Sequence, residues 1–237
     1  MEQYEKTIRE NIAAIRARMD AAAAAAGREP GQVQLCAATK MNDAERVKAA
    51  IRGGVDLCGE NRVQEIQQKL PLGAYEGAPL HFIGRLQTNK VKYIVGVVDV
   101  IESVDRLHLL QTIDEQARKK GVVQKILLEV NIGGEESKGG FTPAETLEMA
   151  AKMSEYPGVF LSGLMAIPPV SVEKGDNLRY FQQMYQLFID ISQKKYDNVS
   201  MVCLSMGMSD DFEDAIACGS TMVRIGTAIF GERNYNK

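Results

Sequence analysis

The sequence predicts an α/β protein: a single (β/α)8 barrel with an extra helix at its N-terminus. Three observations carry that expectation. Short apolar runs of strand length begin near Val33, Val55, Leu80, Val100, Gln124, Val159, Val199 and Met222, and a helix signal follows each. Most of these runs are apolar throughout rather than alternating, the pattern of parallel strands buried on both faces. The 237 residues, 45% of them hydrophobic, also suit a fold that begins near ~200 residues as one domain. Closure would pair both sheet edges, although period alone leaves a doubly wound open sheet as the alternative. No linker or low-complexity tract interrupts the pattern, so one domain over residues 1–237 is expected.

Taken in order, residues 3 to 26 read as a helix with Ile8, Ile12, Ile15 and Met19 on one stripe, ended by Gly27 and Pro30. After the first strand, Asn42 with Glu45 reads as a capping box and Gly53-Gly54 as the helix stop. Asn61 is a candidate cap for the second barrel helix, whose apolar side carries Val63, Ile66 and Leu70. Thr88 or Asn89 starts the third. Asp105 is expected to cap the fourth, with Leu107, Leu110 and Ile113 inward and Lys119-Lys120-Gly121 as its end. Thr142-Pro143-Ala144-Glu145 combines a cap, a proline at the first helical position and the box glutamate. A longer helix opens near Asp176 with Leu178, Phe181, Met184, Phe188 and Ile191 inward, Ser209 leads into a short one, and Thr227 into a last turn. Gly133 to Gly140 is the most glycine-rich loop, and mobility is expected there.

Composition excludes several classes. Lys and Arg total 28 against 31 Asp and Glu, a net charge of −3, so neither a nucleic-acid footprint nor a polybasic membrane anchor is expected. The cysteines Cys36, Cys58, Cys203 and Cys218 form no CxxC, and only His81 and His108 could join them, so no metal site is expected. No apolar run approaches the ~18 residues of a membrane span. Glu2, Glu5, Glu10 and Asp20 argue against a secretory or transit signal. The expected compartment is the cytoplasm.

The chemistry is expected at the strand ends, where such folds carry it. The first apolar run ends in Lys40, whose amine can form a Schiff base if part of it is neutral; on that stretch alone it reads better as a solvated lysine in a turn. The loops after the seventh and eighth strands often hold a phosphate. Here they read Ser205-Met206-Gly207-Met208-Ser209-Asp210 and Arg224-Ile225-Gly226-Thr227, with glycines, hydroxyls and a helix start suited to an anion. Asn61 serves equally as cap or ligand contact, Met165 as packing against a ring, and His81 as a satisfied core residue. Arg85, Lys90 and Lys92 read as a solvated face.

Five segments together carry a resemblance: Ala38-Thr39-Lys40, GENRVQE over 59–65, HFIGRLQTNK over 81–90, Ser205 to Asp211, and Arg224 to Gly231. The chain resembles the YggS/PROSC family of pyridoxal-phosphate homeostasis proteins over nearly its whole length. The resemblance implies a barrel similar to the cofactor domain of alanine racemase, with pyridoxal 5'-phosphate held as a Schiff base on Lys40. It implies phosphate contacts from Ser205, Gly226 and Thr227, Arg224 facing the pyridine nitrogen, and Asn61 near the ring. It also implies vitamin B6 homeostasis without an established catalytic reaction, so no residue is assigned as catalytic and the chain is expected not to be an enzyme. Apo-forms of pyridoxal-phosphate enzymes are the candidate recipients, and a monomer is expected. A pyridoxal-phosphate amino-acid racemase is the alternative, and a Schiff-base aldolase of a phosphorylated sugar the third. Tyr75, Tyr93 and Tyr235 are the candidates for a racemase's opposite-face acid, and all three lie outside the strand-end motifs.

Overall fold

Eight parallel strands pair in sequence order and close on themselves. They are β1 (Gln34–Ala38), β2 (Leu57–Glu60), β3 (Leu80–Phe82), β4 (Val100–Val104), β5 (Gln124–Val130), β6 (Val159–Ala166), β7 (Val199–Ser205) and β8 (Met222–Ile225). The computed structural model describes residues 3–135, 138–170, 173 and 175–231. Closure is made where β8 lies against β1, with Cys36 opposite Arg224 and Ala37 opposite Ile225. The barrel is thus closed rather than an open doubly wound sheet.

The helices are α1 (Gln3–Ala25), α2 (Ala44–Arg52), α3 (Val63–Lys69), α4 (Leu107–Lys120), α5 (Pro143–Ala151), α6 (Leu178–Ser192), α7 (Phe212–Ala217) and α8 (Thr227–Phe230). Between β3 and β4 the chain makes only a 3-10 helix over Thr88–Tyr93, where a full helix was expected. The outer ring is therefore thin after β3 and again after β8, since α8 is a single turn of four residues. The N-terminal helix covers the second gap. Ile8, Ile12, Ile15, Met19 and Ala23 of α1 share a buried cluster with Leu35 and Ala37 of β1, Val223 and Ile225 of β8, and Phe212 and Ile216 of α7.

Several caps differ from the sequence expectation. The cap of α2 is Asp43, whose carboxylate accepts from the Arg46 N–H at 2.9 Å. Asn42 instead turns back and donates to the Lys40 carbonyl at 3.1 Å. Neither Asn61 nor Asp105 caps a helix: Arg62 and Arg106 hold those positions without a side-chain bond, and Asp105 pairs with the Arg106 guanidinium. Leu70 and Leu107 are exposed: Leu70 falls past the end of α3, in a 3-10 turn over Leu70–Leu72, and Leu107 lies just outside the stripe that α4 buries. The α5 capping box at Thr142 and Glu145 forms as expected. In the 133–140 loop, residues 136 and 137 lie outside the described residues.

Inside the barrel the two-residue period of the strands sorts the side chains into layers. Cys36, Leu57 and Met222 pack together, as do Val100, Leu127 and Met165, and Cys203 touches both groups. Two residues further along the same strands come Glu102, Glu129, Ser205 and Arg224. The interior is therefore apolar below and polar where the strands open into their loops. Among the described residues no helix is long and apolar enough to cross a membrane, and no group of His, Cys, Asp and Glu is arranged to hold a metal ion.

Candidate functional site

Lys40 stands two residues beyond β1, half-buried, at the mouth that this polar layer floors. Its neighbour Met41 has φ 62°, a left-handed conformation uncommon for a residue with a side chain. The pairing of β1 with β8 sets Arg224 and the turn at Gly226 and Thr227 on the adjacent strand. Thr227 is exposed at the first position of α8, where first-turn N–H groups have no intrahelical acceptor.

Arg224 is 5% exposed. Its guanidinium donates to the Ser205 hydroxyl at 2.6 Å and to the Ala166 carbonyl at 3.0 Å. The Ser205 hydroxyl donates in turn to Glu102 Oε2 at 2.6 Å, and His81 Nδ1 meets Glu102 Oε1 at 2.7 Å. A chain of four buried groups, His81, Glu102, Ser205 and Arg224, thus crosses the barrel interior. Burial works to raise the Glu102 carboxyl, but its hydrogen bond and attraction to His81, the Arg224 charge and the Ser205 hydroxyl together hold it below the usual range. Glu129, in the same layer, is pushed up to about 7 by burial and then by the Asp105 charge, with Arg224 and Arg85 pulling the other way.

Asn61 follows β2, and its side-chain Oδ1 is buried with no hydrogen-bond partner. Its backbone is fixed from behind by Gly84, where a Cβ would lie 2.2 Å from the Asn61 carbonyl oxygen. An orphaned acceptor of this kind costs ~1–3 kcal/mol unless something donates to it. Met165 is 1% exposed and belongs to the apolar layer beneath the mouth.

The structure therefore brings Lys40, Ser205, Arg224, Gly226 and Thr227 to neighbouring strand ends, with Asn61 one strand further and Met165 below. Sequence reading assigned no role to Glu102 or Glu129 and took His81 for a core residue, which its bond to Glu102 satisfies. The available signal was a glutamate inside each of two largely apolar strands, where it falls in step with the apolar residue two positions before it and so enters the barrel interior. Also missed was the buried group below Lys40 formed by Glu60, Lys69 and Tyr75, with the Tyr75 hydroxyl donating to Glu60 at 3.1 Å. Arg85 and Lys92 are exposed, as expected, and Lys90 and Lys92 lie over the Tyr93 ring. Tyr235 lies outside the described residues.

The model of the alanine racemase N-terminal domain family matches residues 8–234 of this closed-barrel chain. The chain is 43% identical over 226 residues to the pyridoxal phosphate homeostasis protein of Aquifex aeolicus, covering 95% of this chain and 98% of that one. It belongs to the family of pyridoxal phosphate homeostasis proteins. Among solved structures, PipY of Synechococcus elongatus with PLP bound is 30% identical with a TM-score of 0.80, covering 94% of this chain and all of that one (100%). An alanine racemase of Clostridium difficile shares the fold at 14% identity and a TM-score of 0.72, covering 96% of this chain but 57% of the racemase.

Proposed function

We propose that this protein binds pyridoxal 5'-phosphate and serves its homeostasis, holding the cofactor as a Schiff base on Lys40 without turning over a substrate. One barrel domain, working in the cytoplasm as a monomer, suffices for that role. The observation that supports the reading is the pairing of β1 with β8, whose neighbouring ends lead into Lys40 and into the Gly226–Thr227 turn. The orphaned Asn61 Oδ1 is a further fit, because it leaves an acceptor for a donor that a ligand can bring.

In this reading the N–H groups and hydroxyl at Gly226 and Thr227 hold the phosphate, with Ser205 beneath them. Ser205 has a single O–H, now given to Glu102, so donation to a phosphate requires it to turn away from that carboxylate. Asn61 lies beside the ring, and Met165 supplies the apolar floor. When bound, the cofactor supplies an electron sink for carbanions, whose depth depends on protonation of its pyridine nitrogen. Arg224 keeps its own proton and can only donate to that nitrogen.

Two features support the absence of turnover. The first is Arg224 in place of an acid at the pyridine nitrogen. The second is that, among the described residues, neither candidate tyrosine is placed as the opposite-face acid that a racemase requires. Tyr75 is buried and bonded to Glu60, and burial followed by the Glu60 charge pushes its phenol far above the usual range. Tyr93 is exposed on the 3-10 helix after β3, with the Lys90 and Lys92 ammonium groups near its ring.

Borohydride treatment of the isolated protein, followed by peptide mass analysis, is expected to fix a pyridoxyl group on Lys40. Lys40→Ala should lose both that label and the visible absorbance while remaining folded. A label on another lysine would overturn the site. Incubation with single L-amino acids should give no racemisation, keto acid or carbon dioxide at ordinary enzyme rates of ~1 per second or faster. Turnover at such rates would make the protein an enzyme.

A further inference from the structure

The backbone on each side of Lys40 is tied to one buried ammonium group, that of Lys69. This side chain is 9% exposed. Its Nζ donates to the Thr39 carbonyl at 3.0 Å, to Glu60 Oε1 at 2.5 Å and to Glu65 Oε2 at 2.8 Å. Those three acceptors use all three donors of an ammonium group, so Lys69 is a tether and not a second nucleophile.

The two carboxylates extend the tether to both neighbours of Lys40. Glu60 accepts from the Thr39 hydroxyl at 2.8 Å, on the N-terminal side. Glu65 accepts from the Met41 N–H at 2.7 Å, on the C-terminal side. Glu60 also takes the Asn61 N–H at 3.2 Å, linking the orphaned amide to the same cluster. Met41 holds a left-handed conformation (φ 62°) that an L-residue keeps only when its surroundings enforce it. The bond to Glu65 is such an enforcement.

We propose that Glu60, Lys69 and Glu65 form a latch that fixes the turn carrying Lys40 and thereby sets how long the cofactor stays bound. They are positioning residues, acting through Thr39 and Met41 rather than by touching the cofactor. The proposal rests on the reading that Lys40 is the attachment point. A merely structural ion cluster would change stability when cut and leave release unchanged. A latch changes release, and it does so according to whether Met41 needs holding.

The test loads wild type, Glu65→Ala and Glu65→Gln with pyridoxal phosphate and times its loss to an excess of a carbonyl-trapping amine, with the melting temperature of each cofactor-free protein measured alongside. Glu65→Ala should release the cofactor about tenfold faster, the equivalent of one lost hydrogen bond. Glu65→Gln keeps an acceptor for the Met41 N–H and should return to within about threefold of wild type. Glycine adopts the left-handed turn without strain. In a Met41→Gly background, Glu65→Ala should therefore speed release by no more than about threefold, a coupling that a double-mutant cycle reads directly. Equal release rates for wild type and Glu65→Ala overturn the latch, as does the same tenfold effect in both backgrounds. Failure of borohydride to label Lys40 in wild type overturns the underlying reading instead, so the two failures are distinguishable.

Discussion

The Glu129 carboxyl sits where β5 meets the barrel mouth, and its charge is biased by Asp105, Arg224 and Arg85. Burial, then Asp105, raises it from the ordinary 4.5 to about 7. A carboxyl raised in the folded state gives stability that is fully present below its unfolded pKa and lost as pH rises through its folded one. Wild type should therefore lose ~3 kcal/mol relative to Glu129→Gln between pH 4.5 and 8, at ~1.4 kcal/mol per unit. Paired urea melts at pH 4.5 and pH 8 check this, and a difference that stays flat with pH would show that the fold does not raise the Glu129 carboxyl. Ser205 and Thr227 separate in a similar way. Thr227→Ala should weaken cofactor binding by ~1.5–3 kcal/mol, the value of a hydrogen bond to a charged group, and leave the empty protein as stable as before. Ser205→Ala also uncouples Glu102 from Arg224, so the empty protein should melt earlier as well. Melts of both variants without cofactor, beside titrations with it, give the comparison. At this scale Lys40, Gly226 and Thr227 were legible because strand-end position and turn composition are local. The chain from His81 to Arg224 was not, since its members lie on β3, β4, β7 and β8 and meet only through barrel closure.

Loops and caps follow chemistry that a short window contains, yet the window did not always choose the right residue. Thr142 and Glu145 form a reciprocal box, as four consecutive residues allow. At α2 the choice lay between Asn42 and Asp43, both good caps, and the αL turn at Met41 decided it by swinging the Asn42 side chain back onto Lys40. Asp43→Ala should consequently cost ~1 kcal/mol of stability, as a cap does. Asn42→Ala should cost less in a thermal melt, since it frees the Lys40 carbonyl and leaves the cap intact. Equal losses would mean that Asn42 shares the cap. The β3 loop makes a different point. Gly84 presses on the Asn61 backbone, and a Cβ there would lie 2.2 Å from its carbonyl oxygen and 2.6 Å from its Cα. Backbone atoms cannot turn away as a flexible side chain can. Gly84→Ala should therefore move Asn61 and weaken cofactor binding along with stability, a loss visible by titration.

The eight parallel strand-helix units were legible because most of the runs are apolar throughout, and six of the eight begin at the residue expected. Closure itself was favoured over an open sheet only because it pairs both edges. What the pattern could not give was where the outer ring thins, since that depends on helix lengths set by tertiary contacts. The α1 stripe was read correctly, but its purpose emerges only with closure. The outward faces of β8 and β1 lie behind α8, a single turn, and the six-residue α7, and neither is long enough to cover them. The α1 helix lies across that seam. It is held at its rim by Arg16 to Asp56 at 2.6 Å and Arg18 to Glu213 at 3.0 Å, exposed pairs of little energetic weight. Its hold must come from the buried stripe, with Ile12 at its centre, 1% exposed. The Ile12 Cδ1 also comes within 2.7 Å of where a Cβ on Gly53 would stand, so the contact between α1 and the α2 terminus has no slack. A truncation there leaves a cavity that the closed barrel behind it cannot collapse to fill. Ile12→Ala should thus cost ~2–5 kcal/mol of unfolding free energy, with an unchanged denaturant slope. Cofactor affinity, measured where both proteins are fully folded, should not change, because Ile12 packs on the outside of the barrel. A loss below ~1 kcal/mol would mean that α1 only rests on the barrel, and the β8–β1 seam would then need another source of cover.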